Sequence, residues 1–523
     1  MLAANIAAGA QGIEDALRYS EQFYVGSART MAMGNAFTAL GGDLGAMGIN
    51  PASTALYNCC EFSVTGGFNW NKTGSTFYGT EDNFSQKASS TRFHIPNISA
   101  VFSLPTGRDY GLVSWTVGFG YAKTSNFNSR ISFAGDDANS SLLGNIALGL
   151  SGFDNANLLA TNVFAADDLR CTPQEVLAWN AYLVNPYEDY VDLYQGATEN
   201  SLPGGPGVDN FLYKNYELNT SGGIHDMQFN FGMNFNDRLF LGVNANIKAI
   251  DYSQHLCYKE QAYQGDKYDS GFNSMEYNSW LNTSGAGVNL QLGAIWVPLD
   301  FVRFGISYTT PTLYSLTDTW DEAMGSDFDG TVPDYKSSTV WLSDLYADEQ
   351  GTDSRDFTYE YTLRAPGRLS IGTAFVFGQA GLISFDWETS NYGKMKLGDN
   401  YDPYAFDGVN RDIADYCLRG NIFRVGAEVN VLNNVALRGG YTGYFYGAEA
   451  AKGYQYLSFG IGKRITENSS IDVAFRTSLA DNFQMKPYDD YDYNAAGTAQ
   501  CIAPVADITS RFRDLLLTYR VKF

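Results

Sequence analysis

The chain has 523 residues, 15% of them aromatic, with 54 glycines and only 17% charged residues against the usual quarter. Its formal net charge of −23 excludes a nucleic-acid partner, which needs a basic face. No apolar run reaches the roughly eighteen residues of a membrane helix and mean hydropathy is −0.22, so any membrane crossing must be made by a closed barrel of strands.

In chain order, residues 1–10 read as the remnant of a signal peptide: a short apolar stretch, then Ala8-Gly9-Ala10 as a cleavage site before Gln11. The basic start of such a signal is missing, so the true start is expected upstream. Residues 11–60 carry small residues at Gly26, Gly34 and Ala36, a single Arg29, Asp43 and the triplet Asn50-Pro51-Ala52. Small residues permit tight backbone packing and Asn-Pro fixes a turn, so this stretch is expected to form a compact N-terminal plug.

Amphipathic strands fill residues 61–523. In "IHDMQFNFGMNF", Met227, Phe229, Phe231, Met233 and Phe235 share one face, and Asp226, Gln228, Asn230, Gly232 and Asn234 the other. "FRVGAEVNVL" likewise sets Phe423, Val425, Ala427 and Val429 against Arg424, Gly426, Glu428 and Asn430. Strands are expected at 61–70, 92–104, 111–123, 224–235, 239–252, 287–297, 302–310, 357–377, 380–392, 419–430, 435–446, 453–463, 470–478 and 511–523, fourteen in all. Every second connection is a turn of two to six residues, and the others run to 21, 100, 34, 46, 26, 6 and 32. An even strand count with long loops on one side is the arrangement of an all-β antiparallel transmembrane barrel with long extracellular loops.

The longest loop, 124–223, includes "TPQEVLAWNAYLVNP". Thr172 as N-cap, Pro173 at the first helical position and Glu175 completing a capping box predict a short helix over the barrel mouth, stopping by Asn185-Pro186. The chain finishes "LLLTYRVKF", whose Leu515, Leu517, Tyr519, Val521 and Phe523 form one apolar face. Tyr519 and Phe523 resemble the C-terminal signal by which outer-membrane proteins reach the barrel assembly machinery.

Catalysis finds little support, because G-x-S-x-G, P-loop and G-x-G-x-x-G motifs are missing and there are three histidines. By strand parity His94 and His225 face outward near the outer rim and His255 lies in a loop, a poor fit to a Ser-His phospholipase. The cysteines, Cys59, Cys60, Cys171, Cys257, Cys417 and Cys501, show no C-x-x-C spacing, so no metal site is expected, and neither is a cofactor.

"GSARTMAMGNAFTALGGDLGAMGINPAS", with "ISYTTPTLYSLTD", "RLSIGTAFVFGQAGLISFDWETSNYGKM" and "FRVGAEVNVLNNVALRGGYTGY", resembles the hatch and barrel of the FadL/OmpP1/TodX family of outer-membrane transporters. The resemblance implies porin-like, energy-independent transport of long-chain fatty acids and other hydrophobic compounds in the Gram-negative outer membrane, among lipopolysaccharide and lipid. It implies a hatch at Gly26, Arg29, Gly34, Ala36, Asp43, Asn50, Pro51 and Ala52 that shifts to let the molecule leave sideways through the wall. Gly118, Phe119 and Gly120, where glycines interrupt the third strand, are the expected exit. A secretion component or surface-binding protein built on the same barrel is the alternative.

Overall fold

The computed structural model describes residues 12–80, 82–154, 171–186, 192–199, 211–263, 268–333, 335–345, 357–432, 434–446, 453–492 and 500–523; residues 1–10, expected to be a signal remnant, lie outside them. Fourteen antiparallel strands close into a barrel. They are β1 Glu61–Tyr78, β2 Asn83–Pro105, β3 Leu112–Asn126, β4 Leu212–Phe235, β5 Leu239–Ala262 and β6 Phe272–Leu299. β7 runs as Val302–Thr309 and Thr312–Phe328, and β8 as Phe357–Ala365 and Arg368–Val376. The remainder are β9 Gly381–Asn391, β10 Arg419–Leu432, β11 Val435–Tyr446, β12 Gln455–Arg464, β13 Ser469–Ser478 and β14 Ala506–Lys522. β1 pairs with β14 from Glu61↔Lys522 to Phe77↔Ala506, which removes both sheet edges.

Alternation settles which face each strand turns outward. Met227, Phe229 and Phe231 are exposed, whereas Asp226, Gln228 and Asn230 are buried. Leu290, Leu292, Phe459 and Leu517 are each more than half exposed, and such side chains form a belt around the barrel. No folded protein leaves so large an apolar surface in water, so the belt is the face that lipid covers. Among the described residues no helix is long and apolar enough to cross a membrane.

Two histidine placements differ from the sequence reading. His94 faces the lumen, because β1 and β2 slip by one residue between Thr65↔Asn97 and Gly67↔His94, and that bulge reverses the parity of everything beyond Pro96. His255 lies within β5, its ring stacked on Trp280 at 5.0 Å. His225 does face outward, its Nδ1 2.6 Å from the Tyr121 hydroxyl and its Nε2 3.0 Å from Asp251.

The segment expected as a 100-residue loop is partly regular. A strand, Ser129–Asp137, pairs with the outer end of β4, and a helix, Leu142–Leu150, follows. The helix Pro173–Asn180 has its capping box, with the Glu175 amide donating to Thr172 Oγ1 at 3.3 Å and the Thr172 amide to Glu175 Oε2 at 2.6 Å, but ends before Asn185. These pieces share a core with the outer ends of the strands, including Leu143, Leu177, Tyr258 and Met324. The buried Lys214 pins them to the wall, donating to Asp137 at 2.5 Å and to the Tyr488 hydroxyl at 2.5 Å.

Phe231→Arg places a guanidinium on the outer face amid the belt and is expected to cost about 2–4 kcal/mol. Phe231→Leu keeps the face apolar and should cost less than about 1.5 kcal/mol. Urea-dependent refolding into lipid vesicles measures both, and equal costs would mean that this face does not meet lipid.

Candidate functional site

Residues 12–57 lie inside the barrel. Two short helices, α1 Ile13–Ser20 and α2 Ala28–Ala32, and two 3-10 turns, Leu44–Ala46 and Pro51–Leu56, leave most of this backbone without a regular partner. The wall supplies the bonds. Asn244 donates to Met47 O at 2.9 Å, Gln291 to Gly48 O and Ile49 O at 3.1 Å, and Arg303 to Leu40 O at 2.6 Å. The Thr38 amide donates to Asp386 at 2.8 Å, and the Ala28 amide to Thr518 Oγ1 at 2.7 Å.

Asn50 is the most connected of the predicted residues. Its Nδ2 donates to Thr38 O at 2.6 Å and faces Ala294 O and Ile306 O of the wall at 3.2 and 3.3 Å, while its Oδ1 accepts from the Ala52 amide at 3.0 Å. Pro51 then opens the second 3-10 turn, where its missing N–H costs nothing. Room for this backbone comes from inward glycines of the wall. A Cβ on Gly293 would stand 2.0 Å from Asn50 Oδ1, one on Gly305 2.0 Å from Thr38 O, and one on Gly440 2.2 Å from the Gly34 amide. Gly34 itself has φ +61°, a left-handed conformation that favours glycine. Gly26 and the wholly buried Ala36 and Ala52 belong to the same packed layer.

Arg29 and Asp43 meet in a ring of charge. Arg29 donates from Nε and Nη2 to the two oxygens of Glu428, at 2.9 and 3.1 Å. Glu428 accepts from Arg438 Nε at 2.5 Å, Arg438 Nη1 donates to Asp472 at 2.5 Å, and Asp472 accepts from Arg520 Nη2 at 2.6 Å. Arg520 Nη1 donates to Asp43 at 3.2 Å, and Asp43 lies 3.9 Å from Arg29. Three guanidinium groups and three carboxylates alternate with no net charge, tying the inner segment to β10, β11, β13 and β14. Buried charges are tolerated only when paired in this way.

On the outer side of this layer lies a cavity of about 1330 Å³. The inner segment contributes Ile13, Leu17, Phe23 and Val25, and the wall Tyr446, Tyr456 and Phe512. Arg18 is bonded to Asp15, with its guanidinium 4.3 Å from the centre of the Tyr252 ring. Burial pushes the Glu21 carboxyl up to about 7, against a hydrogen bond from Tyr446 that favours its ionised form. Neither α1 nor Glu21 stands out in the sequence, because both lie before the stretch with a recognisable pattern.

The cavity reaches the wall at a seam. β2 and β3 are bonded from Pro105↔Ser114 to Asn97↔Ala122 and no further, and His94 on one side with Lys123 and Asn126 on the other line the cavity. Beyond the seam the chain after β3 turns inward. The strand Ser129–Asp137 lies against the inner face of β1, where Thr73 Oγ1 donates to Arg130 O and Ser75 Oγ to Ser132 O, each at 2.6 Å. Gly118 and Gly120 sit just inside the seam and are paired on both sides, with Val101 and Ser99 of β2 and with Asn230 and Gln228 of β4. Their missing side chains admit Met47, whose Cε and Sδ would stand 2.9 and 3.1 Å from added Cβ atoms. Phe119 faces outward against Phe229, ring centres 5.8 Å apart. At the opposite rim, Tyr519 and Phe523 are exposed and the Phe523 amide donates to Cys60 O at 3.1 Å. Among the described residues no cluster of His, Cys, Asp or Glu could hold a metal ion.

No family model and no curated protein sequence matches the chain. Solved structures do. A FadL homologue of Pseudomonas aeruginosa is 11% identical, with a TM-score of 0.51 over 96% of this chain and 100% of the other. The toluene transporter TodX of Pseudomonas putida is 11% identical, with a TM-score of 0.50 over 96% of this chain and 99% of the other. The fold is the fourteen-stranded barrel of these proteins.

Arg29→Met leaves the ring one positive charge short and should destabilise the protein by about 3–5 kcal/mol, the usual cost of breaking a buried pair. Arg29→Met with Glu428→Leu leaves two cations and two carboxylates, and should recover at least half of that loss. Thermal unfolding in detergent compares them; a double variant no more stable than the single one would show that charge balance does not hold the ring together.

Proposed function

We propose that this protein carries hydrophobic molecules passively across the outer membrane of a Gram-negative cell. The supporting observation is the cavity of about 1330 Å³ between the inner segment and the wall, ending at the unbonded stretch between β2 and β3. Residues 11–60 act as a hatch: of these, 12–57 fill the lumen on the inner side of the cavity and block a straight aqueous path. The carried molecule leaves sideways, past His94, Lys123 and Asn126, with Gly118 and Gly120 setting the inner limit of the exit.

Sideways exit follows from the energetics. At roughly 0.8 kcal/mol for each buried CH₂, a sixteen-carbon chain gains on the order of 12 kcal/mol by staying out of water. A path that ends in the bilayer keeps that gain, whereas one that ends in aqueous periplasm forfeits it. Fatty acids of this length fit the volume, and one of the similar structures is a toluene transporter. The tyrosines and phenylalanines lining the cavity suit either, because they offer apolar area with few rotatable bonds.

Uptake of labelled hydrophobic probes into lipid vesicles containing the purified protein tests this. Asn126→Trp, which fills the seam at the edge of the cavity, should cut uptake at least tenfold, and by far more than it weakens probe binding in detergent. Deleting 11–45 should leave a folded barrel that conducts ions across a planar bilayer and no longer discriminates between probes. A deletion variant as closed as the parent would show that the segment is not a hatch, and undiminished uptake through Asn126→Trp would place the exit elsewhere.

A further inference from the structure

The cavity is apolar in most of its lining but not neutral in its demands. Two of its three cations are paired with carboxylates, and the third bonds neutral oxygens. Arg18 is bonded to Asp15, Arg476 holds Asp514 from Nε and Nη2 at 2.9 and 2.7 Å, and Lys123 donates to Gly222 O at 3.2 Å and Asn126 Oδ1 at 3.4 Å. Glu21 is different. Among the described residues no lysine or arginine pairs with it, and the Tyr446 hydroxyl is the group that favours its ionised form. Glu14 and Asp412 add two further carboxylates to the lining.

Around Glu21 the rings stand at steep angles to one another. Tyr392 and Tyr446 have centres 5.9 Å apart and planes 57° apart; Phe23 meets Tyr454 at 5.3 Å and 88°. All four rings line the cavity. Aromatic rings lining the same cavity as a carboxylate without a cation suit a desolvated ammonium group, since ring faces and a carboxylate both attract positive charge. A carboxylate entering the same place would meet like charge at Glu21 and would have to turn to Lys123, which bonds neutral oxygens.

We propose that the cavity takes a hydrophobic molecule bearing a cationic nitrogen, seated against Glu21 within the rings of Phe23, Tyr392, Tyr446 and Tyr454. The proposal rests on the cavity being the site of the carried molecule and narrows that molecule's head group.

The test is calorimetric titration of the full chain in a non-ionic detergent with octyltrimethylammonium, octanoate and octanol, which share a chain and differ in the head. The quaternary probe should bind at least tenfold more tightly than octanoate at pH 8.5. Its charge is fixed, so pH acts through the protein. The attraction is present above the carboxyl's pKa and lost below it, and ionisation of a group titrating near 7 should strengthen binding about 30-fold from pH 5.5 to pH 8.5. The groups facing Glu21 are Tyr392, Cys417, Tyr444, Tyr446 and Tyr454, all neutral in this window. His94, which also lines the cavity, is controlled by His94→Asn, which should leave the slope intact. Glu21→Gln should flatten the slope and remove the preference for the cation. Tyr446→Phe, which removes a bond to the ionised form, should move the midpoint to higher pH. Octanoate binding as tightly as the quaternary probe, or a slope that survives Glu21→Gln, would overturn the proposal and leave the transport reading standing. Failure of all three probes to bind would overturn both.

Discussion

Everything inside the barrel depends on one constraint: residues 21–57 are largely buried, yet form too little helix to bond their own backbone. A buried peptide group without a partner is costly, so the wall has to provide donors and acceptors wherever the segment passes. It does so with Asn230, Asn244, Gln291, Arg303, Asp386 and Thr518, each on a different strand and each the polar member of an alternating pattern. In an empty barrel these side chains would line water. Here they read backbone, and the glycines between them let that backbone approach within contact distance.

The inner segment is held unevenly as a result. From Ala28 to Leu56 it is fixed by the charge ring, by Asn50 and by bonds from most of the wall. From Glu21 to Phe23 the Glu21 amide closes α1 on Leu17 O, and two bonds run to the stretch of wall that forms the seam: the Phe23 amide donates to Thr124 O at 2.8 Å, and Ser125 Oγ donates to Glu21 O at 3.0 Å. The part that lines the cavity is therefore tied to β3 where β3 has left β2.

Strand number, alternation and the direction of most side chains were legible because lipid outside and polar groups inside impose period two on every strand. Asn50-Pro51 was legible as a turn for the same local reason. Parity failed at His94, since the bulge opposite Gly66 depends on how β1 and β2 pair and leaves no mark in either strand alone. The glycines of β3 were visible as interruptions, but their purpose was not: they make room for Met47, over seventy positions earlier in the chain. Glu428, Arg438, Asp472 and Arg520 could each be placed on an inward face, and nothing in the sequence says that they meet around Arg29. Closing a ring from four strands and a plug is a property of barrel register, which periodicity does not encode.

The central claim is that one continuous path runs from the cavity beside Glu21 to the seam between β2 and β3. Photolabelling of the purified, detergent-solubilised protein with a short diazirine-bearing hydrophobe, followed by peptide mapping, tests it most directly. Labels competed away by unlabelled probe should fall on residues 13–25, around His94 and on 123–129. Competed labels confined to the outer belt, at residues such as Phe229 or Leu290, would contradict the path and leave the cavity without a role in transport.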